Sequence, residues 1–392
     1  MNRLRFVHAA DFHLDAPFRG GRAGYGSIRR QDVRQVFSAT IDLVLSETAD
    51  LLLLCGDLFE QDGVTRDTMA FLRRELDRLG STPVLLLPGN HDPLSVDSWY
   101  RAVDWPAHVH LLDAAPRKAA SVDLPACGVF ASGFGFAQPR QEAPDFTTLP
   151  APMPDRFNLL LLHGSLDAPE TAGSIPYNPV TAGQLARTGY DYVALGHYHA
   201  PFEKPGRPCL VNPGSPEPLG FDETGAHGVV VADLERAADG AAVRVSTRRV
   251  PLAVREYVER EVDVTDAEGA DAVKFALAAA LAGCLPERCL PHVRLVGTPA
   301  VPPDLAALSD WFEDSWLLYR ISDETRPPLD LRSGFPPESL AGIFCRRLGT
   351  LAAEAEAAGD AARSDMLRHA LQMGLEALAY GEVQRLPERQ GG

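Results

Sequence analysis

Asp11 and His13 stand two residues apart just past an apolar run, and four more short motifs repeat that placement along the first two hundred residues. They are Gly56-Asp57, Gly89-Asn90-His91-Asp92, His163-Gly164 and Gly196-His197-Tyr198-His199. FVHAA precedes Asp11, LLLLCG precedes Asp57, VLLLPG precedes Asn90, NLLLL precedes His163 and YVALG leads to His197. Singly these signals are weak, because an Asp at a strand end often serves as a turn residue. A lone His in that position is more often a hydrogen-bonded structural group than a ligand. Five together, each after an apolar run, leave the structural explanation little weight. Carboxylate and amide oxygens mixed with imidazole nitrogens, and no thiolate, suit Mn, Fe or Zn better than Cu(I) or Ca. Two such ions about 3.5–4 Å apart need one bridging carboxylate and can clamp the attacking and leaving oxygens of an in-line displacement.

Positioning these groups requires strands that all end at one rim. Residues 4–9, 50–55 and 83–87 read as buried strands, with helices expected over 29–47 and 65–79. Strands that are apolar throughout and separated by helices imply a sheet covered on both faces. Further strands are expected over 127–133, 157–162, 192–195, near Leu210 and over 229–232. Open α/β sheets place their ligand crevice beyond the carboxyl ends of the strands, where the five motifs lie. Pro and Gly crowd residues 134–154 and 201–220, so loops are expected there.

Near residue 251 the texture changes. Residues 256–264 alternate like a strand, and Thr265-Asp266-Ala267-Glu268 predicts a capping box opening an Ala-rich helix. Residues 292–296 and 316–321 read as two more strands. Leu340, Ile343, Phe344, Leu348 and Leu351 have helical spacing, repeated over 366–378. The expected organisation is therefore a core domain over 1–252, a smaller α+β capping domain over 253–335 and a helical segment over 336–392.

A chain of 392 residues exceeds one ordinary core, and 45% hydrophobic with 23% charged residues is a globular composition. The net charge of −16 argues against nucleic-acid binding through a broad basic surface. One local exception is the group Arg19, Arg22, Arg29, Arg30 and Arg34, opposed only by Asp32. As a group these arginines suggest contact with a nucleic-acid backbone, the competing reading being a solvated loop and helix start. Cys55, Cys127 and Cys209 sit in apolar runs and read as buried thiols; Cys284 and Cys289 flank a turn. Nothing demands an oxidising compartment. With no signal-peptide core and no run near ~18 apolar residues, a cytoplasmic protein with no membrane contact is expected. His8, His108 and His110 read as structural, and His227, His292 and His369 have no partner motif. Asp15 reads either as support for the first motif or as a cap.

The motifs DFHLDAPF, GDLFE, GNHDP, HGS and GHYH, followed by NPGSPEPLGFDE, resemble those of the calcineurin-like metallophosphoesterases. Within that superfamily the variant is similar to the SbcD-type DNA repair exonucleases, nearest to their YhaO-like branch. The likeness implies an α/β fold, a four-layer α-β-β-α core. It implies one metal ion held by Asp11, His13, Asp57 and His199, and a second by Asp57, Asn90, His163 and His197. Asp57 would bridge, His91 would stabilise the transition state and protonate the leaving oxygen, and Asp92 would orient His91. The implied nucleophile is a metal-activated water, and Mn the activating metal. The implied activity is hydrolysis of phosphodiester bonds in DNA beside an SbcC-like coiled-coil ATPase, for which the C-terminal amphipathic helices offer a surface. The oligomeric state is open, a homodimer included. A small-molecule phosphomonoesterase or cyclic-nucleotide phosphodiesterase could use the same residues. A scaffold without catalysis fits poorly with a complete ligand set. Where part of the nuclease family has a His three residues past the bridging Asp, this chain has Glu60.

Overall fold

The computed structural model describes residues 2–113, 115–168, 177–236, 243–326 and 335–380. Residues 327–334 and 381–392, at the ends of the two expected C-terminal segments, lie outside the described residues. The chain divides into two compact units. One comprises Met1–Glu259, Cys284–His292 and Ser315–Tyr319; the other comprises Arg260–Gly283, Val293–Asp314 and Arg320–Gly392.

The first unit opens with an alternation of β1 (Arg3–Ala9), α1 (Tyr25–Ser46), β2 (Leu51–Cys55), α2 (Arg66–Asp77), β3 (Val84–Leu87), the one-turn α3 (Trp99–Ala102) and β4 (Val109–Leu111). Then come β5 (Ala120–Leu124), β6 (Val129–Phe134), β7 (Phe157–His163), α4 (Ala182–Ala186), β8 (Tyr192–Gly196), β9 (Phe202–Lys204) and β10 (Cys209–Asn212). Long strands β11 (Gly228–Arg236) and β12 (Val243–Pro251) follow. They form two six-stranded mixed sheets, of order β12-β11-β1-β2-β3-β4 and β5-β6-β7-β8-β10-β9. Strands β1 to β4 are mutually parallel, as are β6, β7, β8 and β10.

Strand β2 shows why these segments are apolar without alternation. Leu51, Leu53 and Cys55 face the second sheet, meeting Val129, Phe157, Leu159 and Tyr192. Leu52 and Leu54 face the other way, into a core shared with Val33, Phe37 and Ile41 of α1 and Met69, Leu72 and Leu76 of α2. Both faces of the strand are thus dry. Thr65 starts α2 by accepting the Thr68 N–H, with Asp67 in the first turn and Arg74 in the last, each of the sign that the helix dipole favours. The far face of the second sheet packs on Leu166, Val180, Leu185 and Tyr190. The expected four-layer core is present, and its outermost layer on that side is the short α4 together with loops. Pairing brings the strand ends level: Leu54 lies beside Ala9, Cys55 beside Leu87 and His163 beside Gly196. The loops that follow therefore leave from one edge.

Beyond β12, strands β13 (Glu256–Asp263), β14 (Cys289–Val296) and β15 (Arg320–Asp323) form a three-stranded sheet. Helices α5 (Ala270–Ala280) and α6 (Leu305–Glu313) lie between them in sequence. The expected capping box at 265–268 is corrected. Thr265 instead donates its N–H and hydroxyl to Asp263, and α5 starts five residues on from Thr265, after Gly269 with no side-chain cap. The expected strand over 316–321 is β15, displaced toward the C-terminus. In the second unit, α7 (Leu340–Ala357) and α8 (Ala361–Tyr380) bury Ala352, Ala355, Leu371 and Leu375. Among the described residues, no helix is long and apolar enough to cross a membrane.

Arg29 requires a correction to the expected nucleic-acid contacts. It points inward from α1, is 0% exposed, and pairs with Asp32 and Glu217 while also donating to the Pro218 carbonyl. Glu217 in turn accepts N–H bonds from Val254 and Arg255, and Arg255 reaches back to Asp32. Burial alone would lower the guanidinium's pKa, but the carboxylates, Glu217 above all, outweigh it and hold its pKa above the usual range. Arg29→Ala leaves two buried carboxylates short of a partner. We expect a loss of roughly 3–5 kcal/mol in unfolding free energy, measured by urea denaturation. A variant as stable as the parent would contradict this placement.

Candidate metal centre

The loops after β1 and β2 are zipped together before any functional group is considered. Asp11 N–H bonds the Gly56 carbonyl, His13 N–H the Asp57 carbonyl and Leu14 N–H the Leu58 carbonyl, all at 2.9–3.0 Å. Asp11, His13, Asp57 and His197 adopt left-handed backbone, with φ of 56°, 50°, 52° and 98°. Such conformations cost about 1–3 kcal/mol each and persist only where the surroundings enforce them. Two glycines make room. A Cβ on Gly56, itself at φ 85°, would strike the His163 ring, and one on Gly89 would strike the Asp57 carboxylate.

Donor atoms converge in three groups: His13 with Glu60 and His91 at the mouth, and, deeper, Asp11 with His13 and His199, and Asp57 with His163 and His197. Asp57 Oδ2 stands between the deeper two, 3.2 Å from His163 Nε2 and 3.7 Å from His13 Nε2. Asn90 Oδ1 is 3.1 Å from both His163 Nε2 and His197 Nδ1. The structure thus brings Asp11, His13, Asp57, Asn90, His163, His197 and His199 to one place.

The chemistry of these donors fits divalent cations. His163 Nδ1 can only donate to the Cys55 carbonyl, at 2.8 Å, so in the neutral ring Nε2 carries a lone pair. His13 Nδ1 donates to Glu60 and His199 Nδ1 to Glu223, both at 2.7 Å. That leaves the two Nε2 lone pairs facing each other across 3.2 Å. Lone pairs held this close repel unless a proton or a cation lies between them. Without a cation, protons take that part. Burial opposes charge on His163 and His199, yet Asp57 raises the first, and Glu223 raises the second to about 9. The same His163 charge lowers Asp57, against its burial, and joins burial in pushing His197 down to about 4.

His91 stands at the mouth, its side chain 45% exposed and its ring 4.8 Å from that of His13. Its N–H bonds Asp57 Oδ1 at 2.8 Å, and its Nδ1 lies 2.9 Å from Glu60 Oε2. The Glu60 hydrogen bond raises its pKa. Glu60 therefore joins a ligand imidazole to the exposed one. Asp92 does not contact the His91 ring in this arrangement. Its carboxylate lies beneath the loops and accepts from Asp57 N, Leu58 N, Gly89 N and Tyr100 Oη. Sequence reasoning missed Glu223 as the partner of His199; its one signal was its place at the end of the NPGSPEPLGFDE segment. His8 is structural, bonded to Tyr192 Oη and the Leu195 carbonyl. Asp15 accepts from the Thr65 N–H and the Thr68 hydroxyl at the start of α2 and is met by Arg34, which also donates to Thr68. Of the expected arginines, Arg19 and Arg22 are exposed and Arg30 is half-buried.

The calcineurin-like phosphoesterase model matches residues 4–201, just over half the chain. The protein belongs to the calcineurin-like phosphoesterase family. Among curated proteins it is 30% identical to the uncharacterized metallophosphoesterase YhaO of Bacillus subtilis (strain 168), over 65% of this chain and 67% of that protein. It is 27% identical to the DNA double-strand break repair protein Mre11 of Methanopyrus kandleri, over 57% of this chain and 52% of that protein. The chain thus spans about half the length of the Mre11 relative. As a calcineurin-like phosphoesterase it is a hydrolase that uses divalent metal ions, and the two deeper donor groups are where this chain offers to hold them.

Two outcomes follow for metal uptake. Asp57→Ala should lose both ions and Asn90→Ala chiefly one, read by elemental analysis of purified protein; near-full metal content in Asp57→Ala contradicts the bridging position. Ligation needs neutral imidazoles, whereas the metal-free protein keeps His163 and His199 protonated to unusually high pH. Uptake must therefore release protons, and Mn affinity measured by calorimetry should climb between about pH 6 and pH 8. A pH-independent affinity would contradict that.

Proposed function

We propose that this phosphoesterase is a DNA nuclease, an exonuclease acting in repair beside an SbcC-like coiled-coil ATPase in the cytoplasm. The observation that carries the hydrolytic part is the two adjoining donor groups, with Asp57 within 3.7 Å of His13 of the other group and an imidazole open to solvent beside them. The nucleic-acid part draws on the Mre11 relative, whose name assigns it to DNA double-strand break repair, and on the exposed Arg19 and Arg22.

Two bound divalent ions, Mn in this reading with Fe or Zn as alternatives, supply an activated water and neutralise the phosphoryl oxygens. Asp11, His13, Asp57 and His199 would hold one, and Asp57, Asn90, His163 and His197 the other. The remaining work falls to side chains. His91 Nδ1–H donates a hydrogen bond to the Glu60 carboxylate, so Nε2 is the nitrogen left to protonate a leaving oxygen. Glu60 favours the imidazolium form that this role needs. Glu223 and Glu60 orient His199 and His13 by fixing which nitrogen faces inward.

A second reading, a small-molecule phosphomonoesterase or cyclic-nucleotide phosphodiesterase, gains from the burial of Arg29 and the engagement of Arg34. Both reduce the basic surface left for a polyanion. Hydrolysis of labelled single- and double-stranded DNA, compared with bis- and mono-p-nitrophenyl phosphate in Mn and in chelator, separates the two. Manganese-dependent release of nucleotides supports the nuclease; a strong preference for the monoester replaces it with the phosphatase. In the same assay His91→Ala should keep its metal and lower turnover by roughly 10²–10⁴-fold. Joint loss of metal and activity would make His91 a ligand instead.

A further inference from the structure

Asn90, His91 and Glu60 line one part of a cavity of about 320 Å³, whose remaining lining residues have no assigned role. Its lining includes Glu60, Gln61 and Asp62 from one segment and Pro139, Arg140 and Tyr177 from two others. Among the described residues lining it, Arg140 is the one with a fixed positive charge. It is exposed and makes no hydrogen bond or ion pair with a described residue. The next acid along, Glu142, is already paired with Arg117 at 3.1 Å. Glu60 is engaged by two imidazoles and Asp62 is exposed, so Arg140 is the lining group that offers an entering anion a free positive charge.

The lining that carries Arg140 and Tyr177 is built from inside. Residues 141 and 177 form a parallel β-bridge, and Asn178 N–H bonds the Gln141 carbonyl at 2.9 Å. The Gln141 side chain is 2% exposed and bonds the Gly135 carbonyl, the Ala137 N–H and Asn178 Oδ1. Asn178, 0% exposed, donates to the carbonyl of His163, a metal-facing residue. Ser165 N–H bonds the Tyr177 carbonyl at 2.8 Å. A buried amide pair, dry and with both side chains hydrogen-bonded, thus fixes Arg140 and Tyr177 relative to the donor cluster. The Tyr177 ring is placed 5.1 Å from that of His197. A guanidinium and an aromatic ring lining one cavity offer a phosphate partner and a stacking face, the two features by which single-stranded nucleic acid is held without sequence preference.

We propose that Arg140 and Tyr177 form a subsite for the nucleotide next to the scissile phosphate, with Arg140 on that nucleotide's own phosphate and Tyr177 against its base. This rests on the nuclease reading above and specifies how it would tell a strand from a small ester. The test compares kcat/KM on a single-stranded oligonucleotide with that on bis-p-nitrophenyl phosphate, which has one phosphate and no neighbour, for the full-length protein in Mn. Arg140→Ala should lower the oligonucleotide-to-small-diester ratio about ten-fold or more, the scale of one charge-assisted contact, and Arg140→Lys should restore part of it. Tyr177→Ala should lower the ratio about five-fold or more, while Tyr177→Phe keeps it. Metal content and thermal midpoint, measured alongside, show that the variants are folded and loaded. An oligonucleotide-active parent whose ratio is unmoved by Arg140→Ala and Tyr177→Ala overturns the subsite alone. Equal losses on both substrates also overturn it, placing the two residues in support of the donor cluster. A parent that cleaves the small diester but no oligonucleotide overturns the nuclease reading, and the subsite with it.

Discussion

Beneath the donor cluster, the carboxylate of Asp92 accepts three backbone N–H bonds, from Asp57 at 3.1 Å and from Leu58 and Gly89 at 2.6 Å, and a fourth bond from Tyr100 Oη at 2.7 Å. It is 0% exposed, so no water competes. Burial and the charge of Asp57 push its carboxyl up to about 6, which still leaves an acceptor at neutral pH. By bonding the N–H groups of Asp57, Leu58 and Gly89, it supports both the left-handed turn at Asp57 and the close approach of Asp57 to Gly89. It joins the loops carrying Asp57 and Asn90 from below, as the His91 N–H bond to Asp57 and the Gln61 N–H bond to the His91 carbonyl join them elsewhere. A buried charge satisfied by four donors is favourable as a unit and costly to break, because each donor would be left unpaired in a dry interior.

Upon that base the chain assembles a cluster of groups that would rather be apart. Two carboxylates, an amide oxygen and four imidazoles converge from loops of both sheets, with His13 and His199 Nε2 facing at 3.2 Å. Hydrogen bonds behind the rings make the arrangement specific. Glu60, Glu223 and the Cys55 carbonyl each take an Nδ1 proton, so the inward nitrogens present lone pairs. The cluster is therefore a preorganised receptor for positive charge, and the raised pKa of His163 and His199 is the same attraction expressed toward protons. Bringing the two sheets together with their strand ends level makes such a cluster geometrically available; the left-handed turns aim it.

Much of this was legible from the residues. The strands of the core are apolar throughout because both faces are covered, and that left a clear trace in segments such as LLLLC. The convergence of the seven donor residues followed from their common position after strand ends. Partners across the fold were not legible. Asp92 adjoins His91 in sequence while Glu60 lies 31 residues before it, and only the structure shows that Glu60 meets the His91 ring while Asp92 turns inward. Arg29 reads as one of five basic residues, but its placement on the inner face of α1 against Glu217, 188 residues away, makes it a structural charge. Strands β5 and β12 escaped notice because their exposed faces carry polar residues and their pairing with β6 and β11 supplies the order. At Thr265 a local pattern lost to a nearer acceptor, Asp263.

The sharing of Asp57 between two ions is the claim on which the catalytic reading stands. Anomalous diffraction from crystals grown with Mn would test it most directly. Two peaks about 3.5–4 Å apart, with an Asp57 carboxylate oxygen between them and Asn90 beside only one, are the predicted result. A single peak at full occupancy, or two peaks of which neither touches Asp57, would contradict it.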